Sequence, residues 1–390
     1  MLVDANDLLL GLCDSLDYVQ NVLFPDSKGH SKRVAYISLA IAKKLKLSDM
    51  ELFDLATIAL LHDNGVASSE FIEQIPEEGI FYRSNRFFKL VEENPKHQSC
   101  GENNIKDYPF LTTKCKNVIK YHHENYNGTG TYGIKGDKIP LFAQIIRVAD
   151  LIDWEFELEK LIKEPEIKRI IEYIEKNINI LFSEELARIM AILAKDKSFW
   201  IEVKSNNVVK NIKKLMPNMK HDMSYQKLRE ITKGFSSIID GRNEGKHSQN
   251  LSKHIEVMGR FYGKSEEEIF KMMIASDLHD LGKLAIRSRI PRGMSIQASV
   301  HSGYTRMFLS EIKGLEEIVG LSTIPHEEVI HIKNENLFKS ASFEERLLVA
   351  VDVFEGLRES VPNYIDEYKK LIKEGKVDSD IGNNILFLNR

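Results

Sequence analysis

The chain has 390 residues and a formal net charge of -4 at pH 7, with 43% hydrophobic and 29% charged residues. These values are ordinary for a globular protein and argue against disorder, a membrane span and general nucleic-acid binding. Because one hydrophobic core rarely serves more than about 250–300 residues, we expect two domains. The three cysteines show no C-x-x-C spacing, so neither a disulfide framework nor a thiolate zinc site is predicted.

The amino-terminal segment does not resemble a targeting signal. The apolar run at residues 8–12 is too short to span a bilayer. Aspartates flank it where a signal peptide carries positive charge. We therefore expect a cytoplasmic protein with no membrane partner.

Histidines and aspartates recur at the same intervals in the two halves of the chain. In both copies a His-Ser pair opens a helical apolar pattern, and a His-Asp pair follows 32 residues after the first histidine. A further pair of histidines, 25 residues apart, comes next in both copies, and an apolar segment that ends in aspartate closes each copy. The repeated residues are His30, His62, Asp63, His97, His122 and Asp150 in the first copy, and His247, His279, Asp280, His301, His326 and Asp352 in the second.

The patterns predict an all-α fold with two tandem helical domains, residues 1–204 and 205–390, formed by a diverged duplication. Residues 167–195 show the spacing of an amphipathic helix, whereas the polar stretch 205–223 around Pro217 is typical of a connection. The sequence has no hairpin ladder, glycine-rich phosphate loop or nucleophile elbow.

Imidazole and carboxylate groups are ligands that borderline divalent metals accept, and one carboxylate can bridge two ions. A lone histidine is more often structural than a ligand, but the repeated intervals favour a metal site. Asp150 lies in an apolar segment, where a buried carboxylate needs a partner; a metal ion or the Arg147 guanidinium would each serve. Asp26 would share a helical face with His30 if the helix begins that early, although Gly29 intervenes.

These residues resemble the HD superfamily of metal-dependent phosphohydrolases, and within it the HD-GYP cyclic di-GMP phosphodiesterases. The resemblance runs through residues 30–35, 61–65, 122–130, 136–140 and 147–150, with His97 between them. It extends to the second half through Leu281, Gly282 and Lys283, which follow the second His-Asp pair. The second half has a single histidine where the first has the adjacent pair His122-His123, so it is predicted to be a degenerate HD domain.

The resemblance implies two or three divalent ions, iron or manganese, in the first half. Asp63 would bridge two ions, His62 and Asp63 would form the catalytic pair, and a hydroxide between the metals would attack a cyclic dinucleotide to give a linear product. Cyclic di-GMP is the first expected substrate and cyclic GMP-AMP the second. The implied metal ligands are Asp26, His30, His62, Asp63, His97, His122, His123 and Asp150, and in the second half His247, His279, Asp280, His301, His326 and Asp352.

The chain departs from the family pattern at two places. Thr131-Tyr132-Gly133 stands where the family has Gly-Tyr-Pro, and Val66 stands where the family has a lysine. Substrate phosphate then needs another cation, and the candidates are Arg33, Arg83, Arg86 and Lys120 in the first half and Lys283 in the second.

Two alternatives to a cyclic dinucleotide phosphodiesterase stay open. One is an HD phosphohydrolase for another nucleotide or phosphoester, and the other is a catalytically silent nucleotide-binding regulator or scaffold. No DNA or RNA partner is expected. A homodimer and a separate signalling partner both remain open, as does a division of labour in which only the first half is catalytic.

Overall fold

The computed structural model consists of helices joined by turns and loops in the part of the chain that it describes. That part comprises residues 3–23, 27–68, 91–92, 94–106, 108, 111–156, 158, 163–217, 224–240, 247–287, 298–324 and 341–389. Within these ranges no β-strand forms, and β-pairing is limited to an isolated bridge between Ile178 and Phe182. The predicted all-α fold class is confirmed.

The chain divides into two compact units, one of Leu8–Lys220 and one of Met1–Asp7 with His221–Arg390. The first helix begins just before the first unit, and the other helices of that unit follow in chain order. They are α1 (Ala5–Leu23), α2 (His30–Lys44), α3 (Asp49–Leu60), α4 (Pro95–Ile105), α5 (Leu141–Glu155), α6 (Glu164–Lys176), α7 (Glu184–Ala194), α8 (Lys197–Glu202) and α9 (Ser205–Leu215).

Helix α2 forms the centre of the first unit. Every residue from His30 to Ala42 is buried, and the helix packs against α3, α5 and α9. It begins at His30, directly after Gly29, which adopts a left-handed conformation with φ 71°. Glycine reaches this conformation easily, and the chain changes direction at Gly29. His30 is therefore buried in the first turn of the helix. Asp26, whose position on this helix was in question, lies outside the described residues.

Helix α5 is, like α2, buried along most of its length, and its sequence is largely apolar. Its residues from Ile145 to Asp153 are all buried, and it packs against α2. Asp150 and Asp153 are three residues apart, so both lie on one face of the helix. This face brings two carboxylates into the core beside the start of α2.

Two sequence expectations differ from the structure. The segment 167–195 was predicted as one helix, but α6 ends at Lys176 and α7 begins at Glu184. Between them Asn179 has a positive φ of 59°, which a continuous α-helix does not allow. The segment predicted as a connection contains helix α9, whose buried Val208 and Ile212 are hidden among polar neighbours in the sequence. Since α9 packs against α2, the first compact unit extends to Lys220, beyond the expected boundary after residue 204.

The second unit is also built from helices. They are α10 (Tyr225–Asp240), α11 (His247–Phe261), α12 (Glu266–Leu278), α13 (Gly282–Arg287), α14 (Ala298–Leu309), α15 (Glu316–Thr323), α16 (Phe343–Ser360), α17 (Tyr364–Lys373) and α18 (Ser379–Leu388). Helices α11 and α12 pack against each other, and α11 also packs against α16. In neither unit does a described helix have the length and apolar character needed to cross a lipid bilayer.

Candidate metal centre

The structure brings together seven of the eight metal ligands predicted in the first half. They form two groups in which the ligand atoms, one from each residue, lie within 4.8 Å of one another. Group A consists of His30, His62 and Asp150, and group B of Asp63, His97, His122 and His123. The eighth predicted ligand, Asp26, lies outside the described residues.

The three residues of group A come from helix α2, from the turn after α3 and from helix α5. His30 opens α2, His62 stands in the turn after α3, and Asp150 projects from α5. The Nε2 atom of His30 lies 3.3 Å from Oδ1 of Asp150, and the ring centroids of His30 and His62 are 5.3 Å apart. All three side chains are buried.

The histidines of group B come from helix α4 and from the turn that contains His122 and His123. His97 lies in the first turn of α4, and the Nε2 atoms of His97 and His123 are 3.2 Å apart. The rings of His122 and His123 have centroids 3.9 Å apart, and the three histidines are buried. A metal ion here could accept the lone pairs that these rings direct toward one another.

Asp63 lies between the two groups and offers one carboxylate oxygen to each. Its Oδ2 atom is 3.4 Å from Nε2 of His62 and 3.8 Å from Nε2 of His30, in group A. Its Oδ1 atom is 3.5 Å from Nε2 of His122, in group B. A carboxylate in this position could bridge two ions, which is the role that the family resemblance implies for Asp63.

Backbone carbonyl groups fix the orientation of three of these histidines. The Nδ1 atoms of His62, His97 and His122 lie 2.8, 2.7 and 2.6 Å from the carbonyl oxygens three residues before them. A carbonyl only accepts, so each Nδ1 donates its proton and each Nε2 of the neutral ring keeps a lone pair for a metal.

Several polar atoms of the centre fit bound cations. Within the described residues, Nε2 of His62, Nε2 of His122, Oδ1 of Asp63 and Oδ2 of Asp150 are buried without a hydrogen-bond partner. Burial of such atoms is costly unless an ion or a donor satisfies them. Nitrogen and carboxylate donors in this number are suited to two divalent ions of the iron, manganese or zinc type.

The ionisation of the centre also favours cations. Burial raises the pKa of Asp63, but the nearby imidazoles of His62 and His122 outweigh this effect and hold it well below its usual range. Burial lowers the pKa of His122 to about 4, and the adjacent His123 adds to this effect. The bridging carboxylate is therefore ionised and the His122 ring is neutral at pH 7, which are the forms that bind metals.

One residue that the sequence analysis missed, Asp153, orients His30. Its Oδ2 atom is 2.7 Å from Nδ1 of His30 and 2.9 Å from a terminal nitrogen of Arg33. Burial lowers the pKa of His30, but hydrogen bonds to Asp150 and Asp153 raise it to about 10. Arg33, expected to bind substrate phosphate, is instead buried against Asp153, and its guanidinium holds a carboxylate of the protein.

Two further unpredicted residues contact the ligands. The amide Nε2 of Gln20, in α1, donates to Oδ2 of Asp63 at 2.7 Å. An oxygen of Glu92 lies 3.1 Å from Nδ1 of His123, and Arg147 donates to the other oxygen of Glu92 at 2.9 Å. Asp153 was foreseeable from its spacing to Asp150, whereas neither Gln20 nor Glu92 stands in a motif.

The loop after His123 is organised by Glu124, which is buried. Its two carboxylate oxygens accept from the backbone N–H groups of Tyr132 and Ile134, both at 2.6 Å. The hydroxyl of Tyr132 is 2.8 Å from that of Ser99, on the helix that carries His97. The Lys120 ammonium lies 5.2 Å from the centroid of the Tyr132 ring, so a cation and an aromatic surface lie next to each other here.

The second unit gathers a smaller centre. His247, His279 and Asp280 form a group with ligand atoms within 4.8 Å, and Nε2 of His247 lies 3.1 Å from Oδ1 of Asp352. The Nε2 atom of His301 is 3.2 Å from Oδ1 of Asp280. Lys283, expected to bind phosphate, contacts the other oxygen of Asp280. His326 lies outside the described residues.

The two units share a close backbone contact beside their centres. A Cβ atom on Gly65 would lie 1.9 Å from the carbonyl oxygen of His97, and one on Gly282 would lie 1.8 Å from that of His301. In both units the backbone N–H of the serine after the first repeated histidine donates to an aspartate of the preceding helix. The donor and acceptor pairs are Ser31 with Asp17 and Ser248 with Asp240. These parallels support the predicted duplication, which stays a prediction.

Comparison with known proteins agrees with this architecture. Residues 28–155 match the family model of the HD domain. The chain is 22% identical to 3'3'-cGAMP-specific phosphodiesterase 3 of Vibrio cholerae serotype O1, over 92% of this chain and 87% of that protein. It is 21% identical to 3'3'-cGAMP-specific phosphodiesterase 1 of the same organism, over 86% and 80%. A crystal structure of a cyclic GMP-AMP specific phosphodiesterase from V. cholerae has a TM-score of 0.60 at 19% identity and covers 99% of this chain and 98% of that one.

Residues 28–155 are an HD domain, as the motifs of the first half predict, and the two relatives support a metal-dependent phosphohydrolase. The matched segment, residues 28–155, contains every described ligand of groups A and B. The crystal structure shares the helical fold over nearly the whole length of both chains.

Proposed function

We propose that the first unit is a phosphodiesterase that opens a cyclic dinucleotide to a linear product, with 3'3'-cGAMP as its first substrate and cyclic di-GMP as its second. The observation that carries this proposal is the position of Asp63, which offers one oxygen to each of two histidine-containing groups. The names of the two curated relatives support the choice of substrate. The HD-GYP resemblance alone places cyclic di-GMP first.

The residues of the centre suit hydrolysis of a phosphodiester. Two divalent ions bound there would make water nucleophilic near neutral pH and neutralise charge on the phosphate. His30, His62 and Asp150 would hold one ion, His97, His122 and His123 the other, and Asp63 both. Because ions bound there would activate water, we assign the attack on phosphorus to a water molecule.

Substrate contacts are proposed for the loop that Glu124 organises. Val66 supplies no charge at the position of the family lysine, and Arg33 is bound to Asp153. Lys120, beside the Tyr132 ring, is therefore the cation that we assign to the phosphate, and Tyr132 offers a face on which a nucleobase can stack. Arg83 and Arg86 lie outside the described residues.

The test uses full-length protein purified without oxygen and reconstituted with iron or manganese. Ion content is measured by mass spectrometry, and the same sample is given 3'3'-cGAMP, cyclic di-GMP and bis(p-nitrophenyl) phosphate, with products separated by chromatography. We expect two ions in the first unit and a linear dinucleotide. Replacing His62 and Asp63 by alanine should abolish both, while the same changes at His279 and Asp280 should preserve turnover.

Other outcomes select among the alternatives. Cleavage of the simple diester without turnover of either dinucleotide would assign the centre to another phosphoester. Bound ions with no turnover of any diester would contradict the phosphodiesterase proposal. A protein that neither holds ions nor cleaves diesters after reconstitution would be a nucleotide-binding regulator.

A further inference from the structure

We infer that Gln20 is a positioning residue for the carboxylate of Asp63, and that its amide takes the place of a lysine that the second unit has and the first unit lacks. The inference rests on the metal-binding part of the proposed function. Gln20 lies in helix α1, before the residues that match the HD domain. Its role follows from the position of Val66, from the contacts of two equivalent aspartates and from the hydrogen bonds of Gln20 itself.

Val66 and Lys283 occupy corresponding positions in the two units. Each follows the aspartate of a His-Asp pair by three residues, and each comes directly after a glycine. A Cβ atom on that glycine would lie 1.9 Å from the carbonyl oxygen of His97 in the first unit and 1.8 Å from that of His301 in the second. The local backbone is therefore alike, and the two units differ in whether the side chain at this position carries a charge.

The equivalent oxygens of the two aspartates contact different donors. In both units Oδ2 faces the histidine of the same His-Asp pair, 3.4 Å from its Nε2 atom in the first unit and 3.3 Å in the second. On Asp280 this oxygen is contacted by the ammonium of Lys283. On Asp63 it accepts from the amide Nε2 of Gln20 at 2.7 Å. A donor thus reaches the same oxygen in both units, from the residue three positions further on in one and from helix α1 in the other.

The orientation of the Gln20 amide is set at both of its ends. A carboxylate only accepts, so the amide NH2 group must face Asp63 and the amide oxygen must face away from it. That oxygen accepts from the hydroxyl of Ser31 at 3.3 Å. Gln20 is 6% exposed and Ser31 2%, so both hydrogen bonds form largely out of contact with solvent. They hold the amide in one orientation, with its donor toward Asp63.

The serine that holds Gln20 is used differently in the second unit. In both units the backbone N–H of this serine donates to an aspartate of the preceding helix. The hydroxyl of Ser248 also donates to that aspartate, Asp240, at 2.6 Å. The hydroxyl of Ser31 donates instead to Gln20. The first unit therefore directs its serine hydroxyl to the amide that contacts the carboxylate, as a positioning role for Gln20 requires.

An amide can hold Oδ2 of Asp63 without excluding an ion, because a carboxylate oxygen has two lone pairs. One lone pair accepts from the amide, and the other stays available to a cation. Without this donor, the carboxylate would be free to turn and would no longer present one oxygen to each group of ligands. Because groups A and B share Asp63, we expect loss of the amide to weaken the binding of both ions.

The experiment measures the manganese affinity of the full chain by competition with a chromophoric chelator. All forms carry His279→Ala and Asp280→Ala, so that the first centre alone is measured. Gln20→Met keeps the length of the side chain and removes the amide. Gln144→Met is the matched control, because the Gln144 amide donates to a backbone carbonyl, that of Ile139, at 2.9 Å. We expect Gln20→Met to lower the affinity about 10- to 100-fold and the control to keep it, with unchanged helical content by circular dichroism.

The second variant adds Val66→Lys to Gln20→Met and so gives the first unit the donor that the second unit has. We expect the manganese affinity to return to within about threefold of the parent, as coupling between two residues that contact one carboxylate predicts. The kcat for the cyclic dinucleotide should fall in Gln20→Met and return with Val66→Lys, while KM stays nearly constant. A residue that only fills space would not be replaced by a lysine from another segment.

Gln20→Met with the manganese affinity of the parent would overturn the inference, and so would a folded double variant that binds as weakly as Gln20→Met. If Gln20→Met or Val66→Lys lowers the helical content, Gln20→Lys decides instead, because its ammonium can reach Asp63 from helix α1. Affinity within about threefold of the parent supports the inference, and affinity at least about tenfold lower overturns it. Failure of the proposed function is recognised separately, because a parent chain that binds manganese and cleaves no diester contradicts only that proposal.

Discussion

Replacing Gly65 by alanine tests how the turn after His62-Asp63 fixes the position of His97. A Cβ atom at residue 65 would lie 1.9 Å from the carbonyl oxygen of His97 and 3.0 Å from the backbone nitrogen of Gly101. Both atoms belong to the backbone of helix α4, so no side-chain rotation relieves the overlap. The helix itself must move away from the turn.

The size of the effect follows from that geometry. Cβ contacts under 3.0 Å are essentially never found, so the helix must shift by about 1 Å. Overpacking of this kind costs about 1–3 kcal/mol, and we expect a loss of about 2 kcal/mol in the free energy of unfolding. Metal ligands tolerate displacements of only about 0.2 Å, so His97 should leave the coordination sphere. The ion bound by group B should then be lost before the ion bound by group A.

The assay combines urea unfolding with ion content after reconstitution. Gly356→Ala is the matched control, because a Cβ there meets nothing within 4 Å and the residue lies inside helix α16. Alanine is favoured over glycine in a helix by about 1 kcal/mol, so the control should be as stable as the parent or more so. A Gly65→Ala protein with the parent's stability and both ions would refute the reasoning.

Three further outcomes are expected. Asp153→Asn replaces the carboxylate that orients His30 by an uncharged amide. We expect it to lower the affinity for the group A ion about 10- to 100-fold, measured by competition with a chelator. The control Asp366→Asn, at an exposed site, should leave the affinity unchanged. Glu92→Gln should have a similar effect on the group B ion through His123, and unchanged affinity would show that this hydrogen bond does not position the ring. Burial lowers the pKa of His30 but its carboxylate partners raise it to about 10, so an ion that binds the neutral ring must displace a proton. Apparent ion affinity should therefore rise with pH up to about 10, and calorimetry in buffers of different ionisation enthalpy should detect proton release; a pH-independent affinity would contradict this.

The sequence predicted the histidine and aspartate centre because its residues recur at fixed intervals. Equal intervals in two halves of a chain require the same helices to carry the same side chains, and seven predicted ligands do converge in the first unit. Periodicity was enough for the all-α class as well. It failed at helix α9, whose two buried apolar residues, Val208 and Ile212, lie in a lysine-rich stretch that resembles a solvated connection.

The partners of the ligands were less accessible to sequence reasoning. Gln20 comes from a helix outside the motifs and reaches Asp63 only because the chain folds back on itself. Arg33 was assigned to substrate phosphate from its place in the motif, but a motif does not tell which way a guanidinium points. The structure directs it to Asp153, a carboxylate that lies 120 residues further along the chain.

The centre anchors its histidines in two different ways, and the difference bears on how strongly they bind ions. Three rings donate to backbone carbonyls, which are uncharged and insensitive to substitution. His30 and His123 instead face the carboxylates of Asp153 and Glu92. A carboxylate partner holds the ring in place for a metal, so each group contains one histidine whose orientation depends on a charged side chain. The two carboxylates are held by arginines of the protein, Arg33 and Arg147 respectively.

These arginines keep the carboxylates ionised and in place whether or not ions are bound, since a buried carboxylate without a partner would take up a proton. On the proposed function, the first unit would bind its ions through ligands that are oriented before the ions arrive. In the second unit, Lys283 contacts the Asp280 carboxylate itself, one step closer to where an ion would bind. The two arginines lie behind the ligands, so they support metal binding without occupying the place of an ion.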